Sequence, residues 1–323
     1  PPAKREAATR QIDKYVDQGF LEVASIDTPY TSPTVLVWKK APQEKDVRIA
    51  IDYTYINQYI VPIKATAPSI FLEIEKHTEF ERWLDLDLKE AFHGLPLSRT
   101  DQIRLGVATH LGTYTPTAVP EGITPGSGLL QKVVNKIFAP ILHRSTVMQD
   151  NLLVGVARDE NPTDIAIIVL DICVKHRLSL SWIKSHWAVP QVDFWGYRLD
   201  KGTMAMSPSR KQGVADYPMP KNTKEAQRFL GLSNFFSPFI THYRSKCEPL
   251  FDMLTKAYNF NNSEALRPVF EMVKANMVNA LETWFPRRDV GPWTLRTDAS
   301  GHGWGAVLLQ RVPIDKLNDT QRA

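Results

Sequence analysis

The chain has 323 residues, of which 43% are hydrophobic and 23% charged, and its formal net charge is +4. This length and composition are typical of a globular protein of two or three domains, and the mild positive charge permits a polyanionic partner without requiring one. Cys173 and Cys247 lie outside any CxxC pattern, which excludes a zinc site or a disulfide framework built on them. The most apolar run, 165–174, is too short to cross a bilayer, so we expect no membrane partner.

The first predicted elements are a helix, a hairpin and a strand. Residues 7–22 place apolar side chains at helical spacing, which predicts the helix. The Val-rich alternation over 32–40 and the run 47–52 predict two strands, and the charged segment 41–46 predicts the turn between them. Strict alternation of apolar and polar residues predicts a further strand over 82–88.

The middle of the chain predicts two helices. The second of these helices is predicted over 162–177, with Asn161 as its expected cap. The first is predicted over 125–142, with an apolar face made of Leu130, Val133, Val134, Ile137, Phe138 and Ile141.

The second half of the chain predicts a hairpin, then helices, then strands. Residues 191–199 and 203–207 flank a turn and predict the hairpin. The pattern then becomes helical, and Asn222 followed by Glu225 is a capping-box signature. Residues 293–310 return to a strand pattern.

Two aspartates lie where carboxylates can bind a metal ion. Asp87 ends the strand 82–88, whose leucines all face the other way. Asp150 lies at the tip of a hairpin predicted within 146–155, for which Asp150-Asn151 is an acceptable turn pair. Two such carboxylates brought together would hold Mg²⁺, and two ions about 4 Å apart can activate an attacking hydroxyl and stabilise a leaving phosphate. Either aspartate alone also fits a solvated strand edge, so both interpretations stay open on these residues.

A series of short motifs accompanies the two aspartates. Asp87 lies in 86–93 (LDLKEAFH) and Asp150 in 148–155 (MQDNLLVG). The others, in chain order, are 32–40 (SPTVLVWKK), 48–53 (RIAIDY), 119–131 (beginning VPEGI), Lys184, 194–197 (FWGY), 229–236 (FLGLSNFF), 295–300 (LRTDAS) and 305–310 (GAVLLQ). Over nearly the whole chain and in the same order, this series resembles the motifs of reverse transcriptases of gypsy-type LTR retrotransposons.

The resemblance implies an α+β fold, the right-hand polymerase fold with fingers, palm and thumb and an antiparallel palm sheet. An incomplete RNase H-like α/β domain would follow it. Residues 1–206 would form the fingers and palm, 207–261 the helical thumb, 262–291 a helical connection and 292–323 the N-terminal fragment of the RNase H-like domain.

The resemblance also implies catalytic roles. Asp87 of motif A and Asp150 of motif C would hold two Mg²⁺ ions. Asn151 stands in the second acidic position of motif C, where its carbonyl oxygen would be a poorer ligand. Lys184, the motif D lysine, would protonate the leaving pyrophosphate.

Further residues would bind the nucleotide and the nucleic acid. Phe92 would lie under the sugar, where its ring would clash with a 2′-hydroxyl and select deoxynucleotides, and Gln131 would lie below the incoming base. The residues assigned to the triphosphate are Lys39, Lys40 and Arg48. Those assigned to primer and template are Phe194, Trp195, Gly196 and Tyr197 in the primer-grip hairpin and Lys221, Lys224 and Arg228 in the thumb. A core phenylalanine, a solvated hairpin and an ordinary charged helix face are the respective alternatives for Phe92, Arg48 and the thumb cations.

The sequence departs from the family pattern at several positions. Motif C has Met148 in place of Tyr and Asn151 in place of the second Asp. Motif B has Glu121 where an aromatic residue or Gln is usual. In the RNase H-like part Asp298 is the sole candidate metal ligand, and since one aspartate cannot assemble a two-metal site, we expect no RNase H activity.

Two hypotheses about function follow. The first is an RNA-directed DNA polymerase from a retrotransposon polyprotein, which would use Mg²⁺ and dNTPs to extend a primer 3′-hydroxyl on an RNA template and would bind the RNA/DNA hybrid. The second is a domesticated, catalytically weak or inactive descendant that binds RNA or scaffolds a larger ribonucleoprotein such as an organellar ribosome, with its protein or RNA subunits as partners. Pro1 in place of Met indicates a piece of a longer polypeptide. The compartment is therefore open: cytoplasmic or nuclear for a retroelement, organellar for a ribosomal subunit.

Overall fold

The structure of the chain, a computed structural model, divides into two compact units. The first is formed by Pro1–Glu73 and Leu84–Ala188, and the second by Ile74–Trp83 and Val189–Ala323. The division of the sequence into four functional segments stays a prediction. The residues that the structure describes are 2–25, 28–38, 46–61, 69–77, 79–240, 242–255, 258–280, 283–284, 291–300 and 303–311.

In the described part of the chain, helices and strands are interspersed up to Met206, after which four α-helices follow before the last strands. The α-helices are α1 (Pro2–Asp17), α2 (Ile70–Glu75), α3 (Arg99–Arg104), α4 (Gly126–Ile137), α5 (Pro162–Lys175), α6 (Pro208–Ala215), α7 (Thr223–Phe235), α8 (Tyr243–Phe251) and α9 (Arg267–Val278). The first strands are β1 (Leu21–Val23), β2 (Thr31–Trp38), β3 (Val47–Ile51), β4 (Arg82–Lys89), β5 (Gly106–Thr109), β6 (Gly112–Pro116), β7 (Ser145–Met148) and β8 (Asn151–Val156). The others are β9 (Ser179–Leu180), β10 (His186–Val189), β11 (Gln191–Phe194), β12 (Tyr197–Asp200), β13 (Thr203–Met206), β14 (Thr283–Trp284), β15 (Trp293–Ser300) and β16 (Gly303–Gln310).

One sheet of the first unit has the strand order β1-β6-β5-β2-β3. Strands β2 and β3 pair antiparallel, with Val37 opposite Arg48, which confirms the predicted hairpin. Helix α1 packs on this sheet, because Ala7, Ala8 and Val47 form a small fully buried cluster. The small side chains let the helix approach the strands closely.

Helix α1 differs from its predicted bounds of 7–22, because it begins at Pro2 and ends at Asp17. Its end follows from Gly19, whose φ of 72° is left-handed and whose N–H donates to the Val16 carbonyl over 2.9 Å. The chain then turns into β1, where Glu22 pairs with Thr115. Apolar residues at helical spacing continue past this turn, so the predicted helix extended too far at its C-terminal end.

The second sheet of the first unit has the order β10-β4-β8-β7, and β9 also pairs with β4. The predicted alternation along β4 is confirmed, since its leucines are buried while Asp85 and Asp87 are intermediate. Helices α4 and α5 contribute side chains to the same core as β4, β7 and β8. The core residues of this layer include Leu84, Leu86, Leu88, Leu130, Val134, Phe138, Leu152, Val154, Ile165, Val169 and Cys173.

The helix predicted over 125–142 stops at Ile137 and continues as a 3₁₀ helix over Ala139–Ile141. Pro140 accounts for this, because it provides no N–H for an α-helical bond. Of the residues predicted on its apolar face, Val133 is 37% exposed, whereas Leu130, Val134, Phe138 and Ile141 are buried. The cap of α5 is confirmed, because the Asn161 side chain accepts a hydrogen bond from the Thr163 N–H.

The second unit combines a sheet with helices. Its sheet has the order β11-β12-β13-β14, so the segment predicted as one strand over 191–199 is two strands joined by a tight turn. Phe229 of α7 packs against Phe270 of α9, with ring centroids 4.6 Å apart. Strands β15 and β16 pair with each other. Within the described parts of both units, no helix combines the length and apolar character that crossing a membrane requires.

Candidate active site

The strands that carry the two predicted catalytic aspartates are neighbours in one sheet. The backbone N–H of Leu88 donates to the carbonyl oxygen of Asp150 over 2.7 Å. Leu86 and Leu88 are buried, and because side chains alternate along a strand, Asp87 between them points away from that core. The structure therefore places Asp87 and Asp150 on directly adjacent backbone segments.

Asp150 lies in a tight turn, although not in the pair of residues that the sequence predicted. Met148 pairs with Asn151, so the turn residues are Gln149 and Asp150, and Asn151 already begins β8. Gln149 has a left-handed φ of 57°, a conformation that costs energy for a residue other than glycine.

Gln131 stabilises this turn from helix α4. Its Oε1 accepts a hydrogen bond from the Gln149 N–H at 2.8 Å, and its Nε2 donates to the Val147 carbonyl at 2.7 Å. The same Nε2 donates to Asn135 Oδ1 at 2.9 Å, and Gln131 is buried. Its observed partners are thus the hairpin and its own helix, and the contact with an incoming base stays a prediction.

Asn151 contacts the catalytic hairpin directly. Its Nδ2 donates to Asp150 Oδ1 over 2.9 Å. In this position an amide can hold the neighbouring carboxylate in place, whereas a second aspartate would repel it. The Asn151 amide therefore orients the Asp150 carboxylate and adds no second negative charge beside it.

The loop between β9 and β10 brings a cation to Asp87. The Ser181 N–H donates to the Asp87 carbonyl at 2.8 Å, and the Asp87 N–H donates to Ser185 Oγ at 3.3 Å. These two bonds fix the loop so that Lys184 Nζ lies 3.2 Å from both carboxylate oxygens of Asp87. The structure thus brings together three of the predicted catalytic elements, namely the motif A strand, the motif C hairpin and the motif D lysine.

Phe92 follows Asp87 on a short 3₁₀ helix, Ala91–Gly94. The left-handed Glu90, with φ of 53°, turns the chain into this helix directly after β4. The ring of Phe92 is half-buried, and a Cβ added to Gly126 would lie 3.4 Å from its Cε1. The first turn of α4 therefore packs against the ring and limits its movement.

Arg48 lies on β3 and forms an ion pair with Glu121, the unusual acidic residue of motif B. Both side chains are mostly exposed, at 66% and 63%. Of the residues assigned to the triphosphate, Lys39 and Lys40 lie outside the described residues. The contact with Glu121 could not be predicted from local patterns, because 73 positions separate the two partners.

The predicted primer-grip residues form the turn between β11 and β12 in the second unit. Trp195 and Gly196 both have positive φ, and Trp195 is 39% exposed. Phe194 and Tyr197 are buried, and the Tyr197 hydroxyl donates to the Phe235 carbonyl at 3.2 Å. The side chains of Phe194 and Tyr197 therefore anchor the turn in this unit, so the predicted contact with a primer falls to Trp195 and the turn backbone.

The predicted thumb cations lie at the start of α7. The cap of this helix is confirmed, because Asn222 Oδ1 accepts from the Glu225 N–H at 2.9 Å. Glu225 in turn accepts from the Lys221 N–H at 2.8 Å. Lys221, Lys224 and Arg228 are all exposed, which agrees with a phosphate-binding role and equally with a solvated helix face.

The described residues fit a divalent metal of the kind that oxygen ligands bind. Mg²⁺ commonly takes one or two protein carboxylates and completes its shell with water and substrate phosphates. Asp87 supplies such a carboxylate on β4 and Asp150 supplies one in the turn before the neighbouring strand β8, whereas no group of three or more His, Cys, Asp or Glu side chains occurs among the residues with a described position. Asp298 lies on exposed strand β15, opposite Gly305, and belongs to no such group within the described part.

Comparison with known proteins gives related sequences along almost the full chain. The chain is 26% identical to the retrovirus-related Pol polyprotein from transposon opus of Drosophila melanogaster, over 96% of the chain and 32% of that protein. It is 24% identical to the polyprotein from transposon gypsy of the same species, over 91% and 30%, and 26% identical to the transposon Tf2-7 polyprotein of Schizosaccharomyces pombe, over 98% and 23%. The chain thus spans about a third or less of these relatives.

Solved structures show the same fold. A foamy viral protease-reverse transcriptase in complex with double-stranded DNA superposes with a TM-score of 0.78 at 20% identity, over 95% of this chain and 56% of that one. The foamy viral enzyme in complex with an RNA/DNA hybrid gives a TM-score of 0.70 at 18% identity, over 95% and 43%. The predicted fold class, an α+β polymerase fold, is confirmed.

A protein-family model provides the assignment. The model described as reverse transcriptase (RNA-dependent DNA polymerase) matches residues 38–199, which make up half of the 323-residue chain. This range includes both aspartates, the hairpin of Asp150 and Lys184. The chain therefore belongs to the reverse transcriptase family.

Proposed function

We propose that this chain is the polymerase part of a retrotransposon polyprotein and acts as an RNA-directed DNA polymerase. The observation that carries the proposal is the hydrogen bond from the Leu88 N–H to the Asp150 carbonyl, because it joins the strands of motifs A and C at their aspartates. Family membership and the relatedness to transposon Pol polyproteins support it.

Reverse transcriptases work with a divalent metal, and we propose that here it is Mg²⁺, held by Asp87 and Asp150. When bound, it would activate the primer 3′-hydroxyl and neutralise charge on the phosphates. The roles proposed for the chain's own residues are to bind the triphosphate through Arg48, to exclude a 2′-hydroxyl through Phe92, and to donate a proton to the leaving pyrophosphate through Lys184. Catalysis of this kind depends mainly on positioning and charge neutralisation.

The proposed partners are an RNA template, the RNA/DNA hybrid and dNTPs. The foamy viral relatives of similar fold were solved with double-stranded DNA and with an RNA/DNA hybrid, which supports nucleic acid as the partner. Within this proposal 1–206 act as fingers and palm, 207–261 as thumb and 262–291 as connection, and 292–323 belong to an RNase H-like domain. No observation on the described residues favours the scaffolding alternative.

Primer extension tests the proposal. The chain should extend a DNA primer on an RNA template with dNTPs and Mg²⁺ or Mn²⁺, and D87N and D150N should each abolish extension. D171N, which removes an exposed carboxylate from α5, is the matched control and should retain activity. A folded chain that extends no primer with either metal would contradict the proposal.

A further inference from the structure

Glu121 presents a carboxylate to the one arginine that is assigned to the triphosphate. It lies in the loop before α4 and pairs with the Arg48 guanidinium on β3. A guanidinium binds carboxylates and phosphates through the same fork of N–H donors. A triphosphate that reaches Arg48 must therefore compete with Glu121.

The backbone next to Glu121 is held in place. Asn57 Nδ2 donates to the Gly122 carbonyl at 2.9 Å, and Asn57 Oδ1 accepts from the Thr124 N–H at 2.8 Å. Gly122 has a φ of 98°, and a Cβ added to it would lie 3.7 Å from the Ile51 carbonyl oxygen at the end of β3. Asn57 thus holds the loop at Gly122 and Thr124, directly after Glu121, so the Glu121 backbone stays near Arg48 even when the two side chains separate.

The charge of Glu121 also acts on helix α1 and on the segment that follows Asp87. Burial raises the pKa of Tyr15, and the negative charge of Glu121 raises it further. Burial lowers the pKa of His93, and the charges of Glu90 and Glu121 oppose that change. Since His93 directly follows Phe92, Glu121 acts on the side of the site where the sugar and triphosphate are expected.

We propose that Glu121 sets the nucleotide affinity of the site by holding Arg48 until an incoming triphosphate displaces it. The inference rests on the proposed function and deepens it. An exposed ion pair contributes little, so its loss changes an affinity by up to about fivefold. The displaced carboxylate remains close to the polyanion and repels it, which adds to the cost of binding.

E121Q tests this inference because it keeps the size of the side chain and removes its charge. The equilibrium dissociation constant of dATP is measured on the complex of the full chain with a dideoxy-terminated primer and a template that presents thymine, in Mg²⁺. Terminating the primer separates binding from catalysis. We expect dATP to bind E121Q about three- to tenfold more tightly than the unmodified chain, with a smaller gain at high salt.

Two further variants identify the cause. E22Q breaks the exposed Arg99–Glu22 pair, whose N–O distance is 3.0 Å, elsewhere in the same unit, and it should leave dATP affinity unchanged. In an R48Q background, E121Q should give a smaller gain than in the unmodified chain, because Arg48 is no longer there to be released.

The outcomes separate the two proposals. If the unmodified chain extends primers but folded E121Q binds dATP equally or more weakly, or E22Q gives the same gain, the role of Glu121 is overturned and the polymerase proposal stands. If the unmodified chain neither extends a primer nor binds dATP, the polymerase proposal is overturned and this inference with it.

Discussion

The ammonium group of Lys184 lies 3.2 Å from each carboxylate oxygen of Asp87. Asp87 is one of the two proposed metal ligands, so a protein cation and a divalent ion would compete for the same carboxylate. The Lys184 side chain is 68% exposed, which means that it can move to solvent or to a leaving pyrophosphate when the ion binds.

K184Q should therefore separate metal affinity from catalytic rate. Removing the competing ammonium should strengthen Mn²⁺ binding, measured by calorimetry, by up to about fivefold. The same change should lower kcat by about 10²-fold or more if Lys184 is the proton donor. K175Q removes an exposed cation from the end of α5 and controls for net charge. Equal metal affinity in K184Q and the unmodified chain would argue against competition.

N151D should make the protein more dependent on metal. The new carboxylate replaces an amide that donates to Asp150 Oδ1, so without metal the two acids repel each other and Tm falls. Mg²⁺ should then raise Tm more in N151D than in the unmodified chain, because it binds the doubly acidic pair more tightly. N161D adds an acid at the cap of α5, where Asp caps as well as Asn, and should not change the Mg²⁺ effect. The same Mg²⁺ effect in all three proteins would refute the metal role of this position.

Q131A should weaken the turn that carries Asp150. The Gln149 N–H and the buried Val147 carbonyl would each lose a partner, and the loss at Val147 costs about 1–3 kcal/mol of the free energy of unfolding. The left-handed Gln149 would also lose its support, so kcat should fall without a comparable change in the KM for dNTP. K132A, at the exposed neighbouring position of α4, should change neither denaturant unfolding nor primer extension. Loss of stability with unchanged kcat would make Gln131 a structural residue only.

F92V should admit ribonucleotides. The half-buried ring rests against the start of α4, so it cannot readily move aside for a 2′-hydroxyl. Shortening it should lower the ratio of kcat/KM for dNTP over rNTP by about 10²-fold, measured in single-nucleotide extension. F92Y retains the ring and should retain discrimination. An unchanged ratio in F92V would place the sugar elsewhere.

The ion pair between Arg144 and Glu160 should make stability depend on pH. Two hydrogen bonds of 2.9 and 2.7 Å join them, and the bond from Arg144 lowers the pKa of Glu160 below its ordinary 4.5. Because the folded pKa is the lower one, the stabilisation is fully present above about pH 4.5 and is lost as pH falls through the folded value.

E160Q should therefore lower the free energy of unfolding by about 1–3 kcal/mol at neutral pH, and its difference from the unmodified chain should shrink below pH 4.5. Urea unfolding at several pH values measures this. E264Q removes a mostly exposed partner of Arg267 and should produce no comparable loss. A difference that is independent of pH would contradict the charged nature of the bond.

Local patterns predicted much of the framework that holds the site. The alternation over 82–88 correctly placed the leucines inward and Asp87 outward, and the cap at Asn161 fixed the start of α5. Both features are set by residues close together in the sequence, so local sequence patterns predict them. The partial exposure of Val133 could not be predicted in the same way, because helical spacing indicates an apolar face but not how much of its width the sheet covers.

The contacts that define the chemistry depend on residues far apart in sequence. Lys184 and Asp87 are 97 positions apart. Ser185 accepts a hydrogen bond from the Asp87 N–H, but no sequence pattern distinguishes this serine as a contact of Asp87. The left-handed Gln149 could not be foreseen, because glutamine has no preference for that conformation and its support comes from Gln131 on another element. Only the order of the motifs pointed to this convergence.

The bond between the Leu88 N–H and the Asp150 carbonyl also restricts how this protein can change over time. Sliding β4 by one residue against β8 would turn Asp87 inward and a leucine outward, at the expense of the whole apolar layer. On the proposed function, substitutions at Asn151, Glu121 or Lys184 would alter rate and affinity without changing this register, whereas separating Asp87 from Asp150 would require disrupting the sheet. Asp87 and Asp150 should therefore stay adjacent even in descendants that have lost the proposed activity.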